Sequence, residues 1–421
     1  MAATRHTSIA PIDGGITAPT GFRSAALHCG IKAKAGALDL AVLAVDTFAS
    51  MAGLFTTNLA QAAPVLVSKR HLDVTRGTGC AIVVNSGCAN ACTGEEGLAN
   101  ARRMTEEVAS ALGCEPEQVL VASALGCEPE QVLVASTGVI GVALPIDRVV
   151  AGIQEACSSL AHGRGSEAAQ AIMTTDPFPK EHAVRVTTPR GSFSIGAMAK
   201  GSGMIEPNMA TMLGFIATDA QVAPAMLQRA LAESARDTFN AITVDGECST
   251  NDSLFAMASG NSGVVIDEEL YPALLDGLLS VSRPLALGIV RGGEGATKVI
   301  AVSVYDANTV DEARQVARTI ANSPLVKTAV HGADPNWGRI VAAAGRAGVR
   351  FDMQRVTVRI GGILLFENGL PHDESAARAA EILKRDTVDI EISLGTGNAS
   401  ATIWGCDLSA EYVRINGEYR T

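Results

Sequence analysis

Large rings are scarce in this chain. Ten Phe, four Tyr and two Trp make up 4% of its 421 residues, which excludes a core organised around aromatic stacking. Basic charge is short as well: 33 Lys and Arg against 44 Asp and Glu leave a formal charge of −11, so the basic face that nucleic-acid binding needs is missing. No apolar run approaches the ~20 uninterrupted residues of a membrane helix, and Met1–Pro11 lacks the apolar centre of a leader segment. The nine cysteines include one Cys-x-x-x-Cys pair, Cys88 and Cys92, with no second pair or histidine cluster to complete a metal site. The expectation is a soluble cytoplasmic protein with reduced thiols that needs no metal or prosthetic group and binds neither nucleic acid nor membrane.

What is present is aliphatic. Apolar residues reach 47% and glycines number 42, the balance of an α/β protein whose helices approach its sheets closely. A chain this long outgrows a single core, and no Gly/Ser-rich linker divides it, so two interlocked halves are expected. Apolar runs predict strands at Leu38–Val45, Cys80–Val84, Met212–Ile216, Ala241–Val244, Val356–Ile360 and Val388–Ile392. Capping boxes at Thr93 to Glu96 and Thr309 to Glu312 open helices; the first runs through Leu112, with Leu98, Ala101, Thr105 and Val108 on its apolar face. Pro224 opens another helix, to Phe239, and Asp334-Pro335 reads as an N-cap and first helical position. One anomaly interrupts the pattern: Ala109–Val121 recurs unchanged as Ala122–Val134. Both copies end in the same strand-forming sequence, but only the second runs directly into Thr137, so the first is expected to bulge out as an insertion.

The tract Lys200 to Leu213, KGSGMIEPNMATML, places a threonine after a constrained loop and before an apolar run. Its glycines free the backbone, and Pro207 holds Glu206 extended. Cleavage of the Ala210–Thr211 bond would give Thr211 an α-amine beside its own hydroxyl, a nucleophile and its base in one residue. Such an amine titrates at roughly 7.7–8.0, near the operating pH that suits a general base. Spacing alone leaves a second reading open, a Gly/Pro turn leading into a buried strand. Thr137-Gly138 likewise offers a hydroxyl and a main-chain N–H to an oxyanion, or is only a strand-to-helix turn.

The tract resembles the self-processing signature of the ornithine acetyltransferase (glutamate N-acetyltransferase) family. Further motifs follow in that family's order along nearly the whole chain: Phe55-Thr56-Thr57-Asn58, Asn85-Ser86-Gly87, Ser136-Thr137-Gly138, Met173-Thr174-Thr175-Asp176, Ser249-Thr250-Asn251-Asp252, Asp334-Pro335-Asn336-Trp337-Gly338-Arg339 and Trp404-Gly405-Cys406-Asp407. The resemblance implies layered mixed sheets flanked by helices, autocleavage at Ala210–Thr211 into an α chain (1–210) and a β chain (211–421), and assembly of two α with two β chains. It also implies ping-pong acetyl transfer from N-acetylornithine to glutamate through an acetyl-Thr211 intermediate. Thr137 and Gly138 are then the oxyanion donors, and Thr174, Lys200, Thr211, Glu294, Asn416 and Thr421 surround the substrate. Some members also take acetyl from acetyl-CoA, a capacity the residues leave open.

Pro177, Cys88 and Gly417 depart from the family pattern without removing the nucleophile, the oxyanion pair or Lys200. Two rival readings stand beside this one. A self-processing aminopeptidase or amidohydrolase would use water as the acceptor, and a noncatalytic nucleotide-binding α/β protein would use glycine loops such as Gly292-Gly293-Glu294-Gly295. Asp245, Asn251 and Asp252 read either as support for the active-site residues from behind or, as the preferred reading, as turn and cap chemistry, and His331 as a satisfied structural histidine.

Overall fold

The computed structural model describes residues 7–113, 127–206 and 212–418. Its larger sheet contains β1 (Ser8–Pro11), β2 (Phe22–Leu27), β3 (Leu40–Phe55), β4 (Thr78–Cys88), β5 (Val132–Val139), β6 (Lys180–Thr188), β7 (Gly191–Lys200), β8 (Leu213–Thr218) and β9 (Ser253–Ala258). The smaller contains β10 (Val299–Ala307), β11 (Thr357–Ile360), β12 (Ile363–Glu367), β13 (Leu370–Pro371), β14 (Thr387–Ser393) and β15 (Ala399–Cys406). The helices are α1 (Ala63–Thr75), α2 (Gly94–Gly113), α3 (Ile146–Ser158), α4 (Gly165–Ala171), α5 (Pro224–Arg236), α6 (Tyr271–Arg291), α7 (Val310–Ala321), α8 (Pro324–His331), α9 (Trp337–Gly345), α10 (Ala376–Ile382) and α11 (Ala410–Glu418). This is a mixed α/β architecture with two sheets flanked by helices.

Strand order in the larger sheet is β1-β6-β7-β8-β9-β3-β4-β5, with β2 also on β3. β8 and β9, which follow residue 211, therefore sit between β7 and β3, which precede it. β8 runs antiparallel to β7 and parallel to β9, and β9 runs antiparallel to β3. Side chains alternate across the sheet as the strand period demands: Leu213, Phe215 and Ala217 of β8 pack with α1–α4 residues, while Met212 and Ile216 face α5 and α6. The two halves of the chain thus share both cores of this sheet, and a break in the connection between β7 and β8 would leave the ladders on either side of β8 intact.

Small residues set the helix–sheet distance, as the composition suggested. A Cβ on Gly277 of α6 would lie 2.7 Å from Ile195 Cδ1 and 2.9 Å from Val186 Cγ2, so α6 approaches β6 and β7 more closely than alanine permits. By length and composition α6 is long and apolar enough to cross a membrane, although Asp276 and Arg283 interrupt its apolar run. Its Leu274, Leu278, Val281, Leu285 and Ile289 are instead buried in the core between helix and sheet.

Most predicted elements form within a few residues of their expected bounds, and the exceptions have local causes. Ala241–Val244 is not a strand. Thr243 N donates to Trp404 O and Val244 N to Ile205 O, so its donors are divided between two partners and no ladder propagates. α9 is capped by Asn336, whose Oδ1 accepts from Arg339 N at 3.1 Å, two residues beyond the expected Asp334 cap. At α7, Thr309 Oγ1 accepts from Glu312 N, but the Glu312 carboxylate is taken by Asn308 Nδ2, leaving half of the expected box.

The second copy of the duplication supplies β5, parallel to β4 in the register Ala81↔Val132 to Asn85↔Ser136. Most of the first copy lies outside the described residues, beyond its opening residues at the end of α2. Cys80 and Cys127 are joined as a disulfide, against the expectation of uniformly reduced thiols; the other described cysteines are free.

Candidate active site

Thr137, Gly138, Thr174, Lys200, Glu294 and Asn416, separated by up to 279 positions in sequence (416 − 137), line one cavity of about 140 Å³. Met212 and Leu213, where β8 begins, line it too. Thr211 and Ala210 immediately before them, and Thr421, lie outside the described residues.

Two walls are distinguishable. On the first, Lys200 ends β7 and its Nζ donates to Thr174 Oγ1 at 2.8 Å and Thr137 Oγ1 at 3.2 Å. Thr137 and Gly138 close β5. A Cβ on Gly138 would fall 2.3 Å from the Gly87 carbonyl carbon and 2.6 Å from Cys88 N, and its φ of +130° is one that side chains resist, so only glycine fits there. Asn251 fixes the same strand from the other side, donating through Nδ2 to Ser136 O at 2.9 Å and Ala89 O at 2.6 Å.

Behind Lys200 lies Asp176, wholly buried. Its Oδ1 accepts from Lys180 Nζ at 2.6 Å and Gly201 N at 2.7 Å; its Oδ2 accepts from Thr174 N at 3.1 Å and is 4.0 Å from Lys200 Nζ. Burial would raise the Asp176 carboxyl, but the Lys200 and Lys180 ammonium groups outweigh it and hold the group below the usual carboxylate range. One carboxylate therefore orients Thr174, Lys200 and the loop that leaves β7. Pro177, next to it, leaves these bonds in place.

The second wall is acidic. Glu294 accepts from Asn416 Nδ2 at 2.9 Å, and Gly203 packs against its carboxylate, where a Cβ would come within 2.5 Å of Oε2. Asp245 accepts from Met204 N at 2.7 Å, from Ile205 N at 2.8 Å and from Tyr412 OH at 3.2 Å. It ties the loop before Pro207 to α11, one helical turn from Asn416. Burial, then the charge of Asp245, push the Tyr412 phenol above its ordinary value. Glu247 completes this wall.

The sequence left Asp245 and Asn251 between turn chemistry and support of the site, with turn chemistry preferred, and did not single out Tyr412. The turn contacts are present, with Glu247 N donating to Asp245 Oδ1 and Thr250 Oγ1 to Asn251 Oδ1, but further partners lie 40 to 167 positions away, and no local pattern reports those. The Gly292–Gly295 loop is no phosphate cradle, because it carries Glu294 into the cavity and sets Gly295 against the Tyr412 main chain. His331 is satisfied as expected, with Nδ1 2.6 Å from Asp407 Oδ2.

The sequence profile of the ArgJ family matches residues 23–421. The chain belongs to the ArgJ family. An ArgJ relative from Symbiobacterium thermophilum, named arginine biosynthesis bifunctional protein ArgJ, is 47% identical over 412 residues, covering 97% of this chain and 99% of its own. A protein of the same name from Dehalococcoides mccartyi is also 47% identical, over 413 residues, covering 97% and 98%. A crystal structure of ornithine acetyltransferase complexed with ornithine, from Mycobacterium tuberculosis, is 39% identical, with a TM-score of 0.41, and covers 49% of this chain and all of that one.

Proposed function

We propose that this member of the ArgJ family is an acetyltransferase of arginine biosynthesis that moves acetyl from N-acetylornithine to glutamate, with Thr211 as nucleophile. The observation that carries the reading is the convergence of Thr137, Gly138, Thr174, Lys200, Glu294 and Asn416 on one cavity at the start of β8, two residues beyond Thr211. A cavity holding a lysine against a carboxylate and an amide suits an amino-acid substrate, whose own carboxylate and amine need opposite partners.

Autocleavage comes first. The Thr211 hydroxyl attacks the Ala210 carbonyl, the C–N bond breaks as the amine takes the proton, and water hydrolyses the resulting ester to leave chains 1–210 and 211–421. Strand order supports continued association, since β8 and β9 are held between strands of the first half. In turnover the α-amine of Thr211 accepts the hydroxyl proton while Oγ attacks the acetyl carbonyl of N-acetylornithine. Thr137 Oγ1–H and Gly138 N–H donate to the oxyanion, each such donor being worth about 3–4 kcal/mol. Ornithine departs with the proton on its amine. The neutral amine of glutamate then attacks the acetyl-Thr211 ester, and Oγ leaves, recovering the proton.

The purified protein is expected to run as two chains and to show parallel double-reciprocal plots for the two substrates, whereas Thr211→Ala runs as one chain and does not turn over. An uncut active enzyme, or full turnover in Thr211→Ala, would overturn the reading. Release of free acetate in place of acetylglutamate would transfer it to the amidohydrolase alternative.

A further inference from the structure

The proposed reaction presents one centre with two amino acids of opposite side-chain charge. Ornithine carries a side-chain ammonium and glutamate a side-chain carboxylate. The acidic wall formed by Asp245, Glu247 and Glu294 suits the first and repels the second. Lys200 is the only lysine or arginine among the described residues lining that cavity, and a substrate α-carboxylate already calls for it. A cation for the second carboxylate of glutamate has to come from elsewhere.

Thr174 lines a second cavity as well, of about 890 Å³, whose lining includes none of Asp245, Glu247 and Glu294. Lys32 and Lys34 contribute to its lining and, among the described residues, no carboxylate does. The loop that carries Lys32 is built firmly: the wholly buried Asp39 accepts from the main-chain N–H groups of Cys29, Gly30, Ile31 and Lys32 at 2.6 to 3.2 Å. The alkyl stem of Lys32 lies over Gly87, where an added Cβ would be 3.1 Å from Lys32 Cγ. Gly87 is also the residue against which Gly138 packs, so Lys32 flanks the oxyanion strand. Its Nζ donates to Leu38 O at 2.6 Å, which uses one of three donors. Among the described residues no carboxylate lies within 4 Å of it. Asp39 and Asp176 act on this half-buried ammonium through space, without an ion-pair contact to it, and an incoming carboxylate would give it a direct partner. Burial pushes this ammonium below its ordinary value, with Asp39 opposing and the Lys200 charge adding to the shift.

We propose that Lys32 is the specificity-determining cation for the acceptor, receiving the side-chain carboxylate of glutamate in this second cavity. The inference rests on the acetyl-transfer reading above. Under it the two amino acids share the reacting centre but direct their side chains to different cavities, ornithine toward Glu294 and glutamate toward Lys32.

The test separates the two half-reactions of the full enzyme. Exchange of labelled ornithine into N-acetylornithine needs no glutamate and reports the donor half, while kcat/KM for glutamate reports the acceptor half. Lys32→Met, which keeps the apolar stem, is expected to lower kcat/KM for glutamate by about tenfold or more, the effect of losing a hydrogen bond to a charged group. Ornithine exchange is expected to stay within about twofold. Lys32→Arg is expected to restore most of the glutamate value. An equal loss in both halves, a glutamate value unchanged in Lys32→Met, or a loss that vanishes at ~0.5 M salt, as long-range steering does, would each overturn the assignment. Absence of ornithine exchange in the parent enzyme would instead sink the acetyl-transfer reading itself.

Discussion

Asp176→Asn removes one charge from a closed site while keeping its shape. The side chains of Asp176 and Lys180 are 0% and 2% exposed, and their contact is 2.6 Å, so the substitution leaves a buried ammonium without its counter-charge. Breaking such a pair costs about 3–5 kcal/mol; the asparagine oxygen still accepts one hydrogen bond, which places the expected loss near 3 kcal/mol. With an unfolding entropy of about 2.1 cal/mol/K per residue over 421 residues, that loss lowers Tm by about 3–4 °C. The pH dependence has a definite sign. The Asp176 carboxyl is held below its ordinary range, so its stabilisation is complete above the unfolded value near 4 and disappears as pH falls through the folded value. Burial lowers the Lys180 ammonium and Asp176 opposes that shift. Without Asp176, Lys180 falls further, and the variant recovers stability as pH rises and the buried lysine becomes neutral. Thermal unfolding of parent and variant between pH 2 and 10 should therefore show the full gap from about pH 4 to neutrality, narrowing below pH 4, where Asp176 is protonated in the parent, and toward pH 10, where Lys180 becomes neutral in the variant. A gap under ~1 °C at pH 7, or one that widens toward pH 10, would refute the reasoning.

Other expectations follow from the same contacts. Gly138→Ala places a methyl 2.3 Å from the Gly87 carbonyl carbon at a φ of +130°; the strand end must move, and acetyl transfer should fall by about a hundredfold or more, as when an oxyanion donor is lost. Asp245→Asn weakens the tie between the Met204–Ile205 main chain and Tyr412; gel analysis of freshly made protein should show slowed self-cleavage, and cleavage at the parent rate would count against that role. Burial pushes the Cys157 and Cys29 thiols up to about 12, so neither should be alkylated by iodoacetamide at pH 8 in the native protein, while exposed Cys92 should be. Mass mapping of the modified peptides checks this.

How much was legible in the sequence varies by element. The helix after Thr93 and the strand runs at Leu38, Cys80 and Val388 announce themselves because their periodicity and caps are local. The grouping of Thr137, Gly138, Thr174, Lys200, Glu294 and Asn416, which share one cavity, was readable only through the family resemblance, since an isolated Lys or Glu carries no positional signal of its own. Asp176 sat inside a quoted motif without a role. Its meaning comes from Lys180 and Gly201, which reach it only once β6 and β7 pair.

By itself the sequence determined the class of architecture, the acidic charge balance and the chemistry available to a threonine that follows a Gly/Pro-rich loop. These depend on composition and on neighbours a few residues apart. Only the tertiary structure decided that strands from beyond residue 211 stand between strands from before it, and that Asp245 fastens the loop before Pro207 to the C-terminal helix. It also decided that Lys32 and Gly138, 106 positions apart (138 − 32), both pack against Gly87. Such contacts depend on which strands pair and in which register, and that is fixed by burying both faces of one sheet at once, a condition no short stretch of the chain can express.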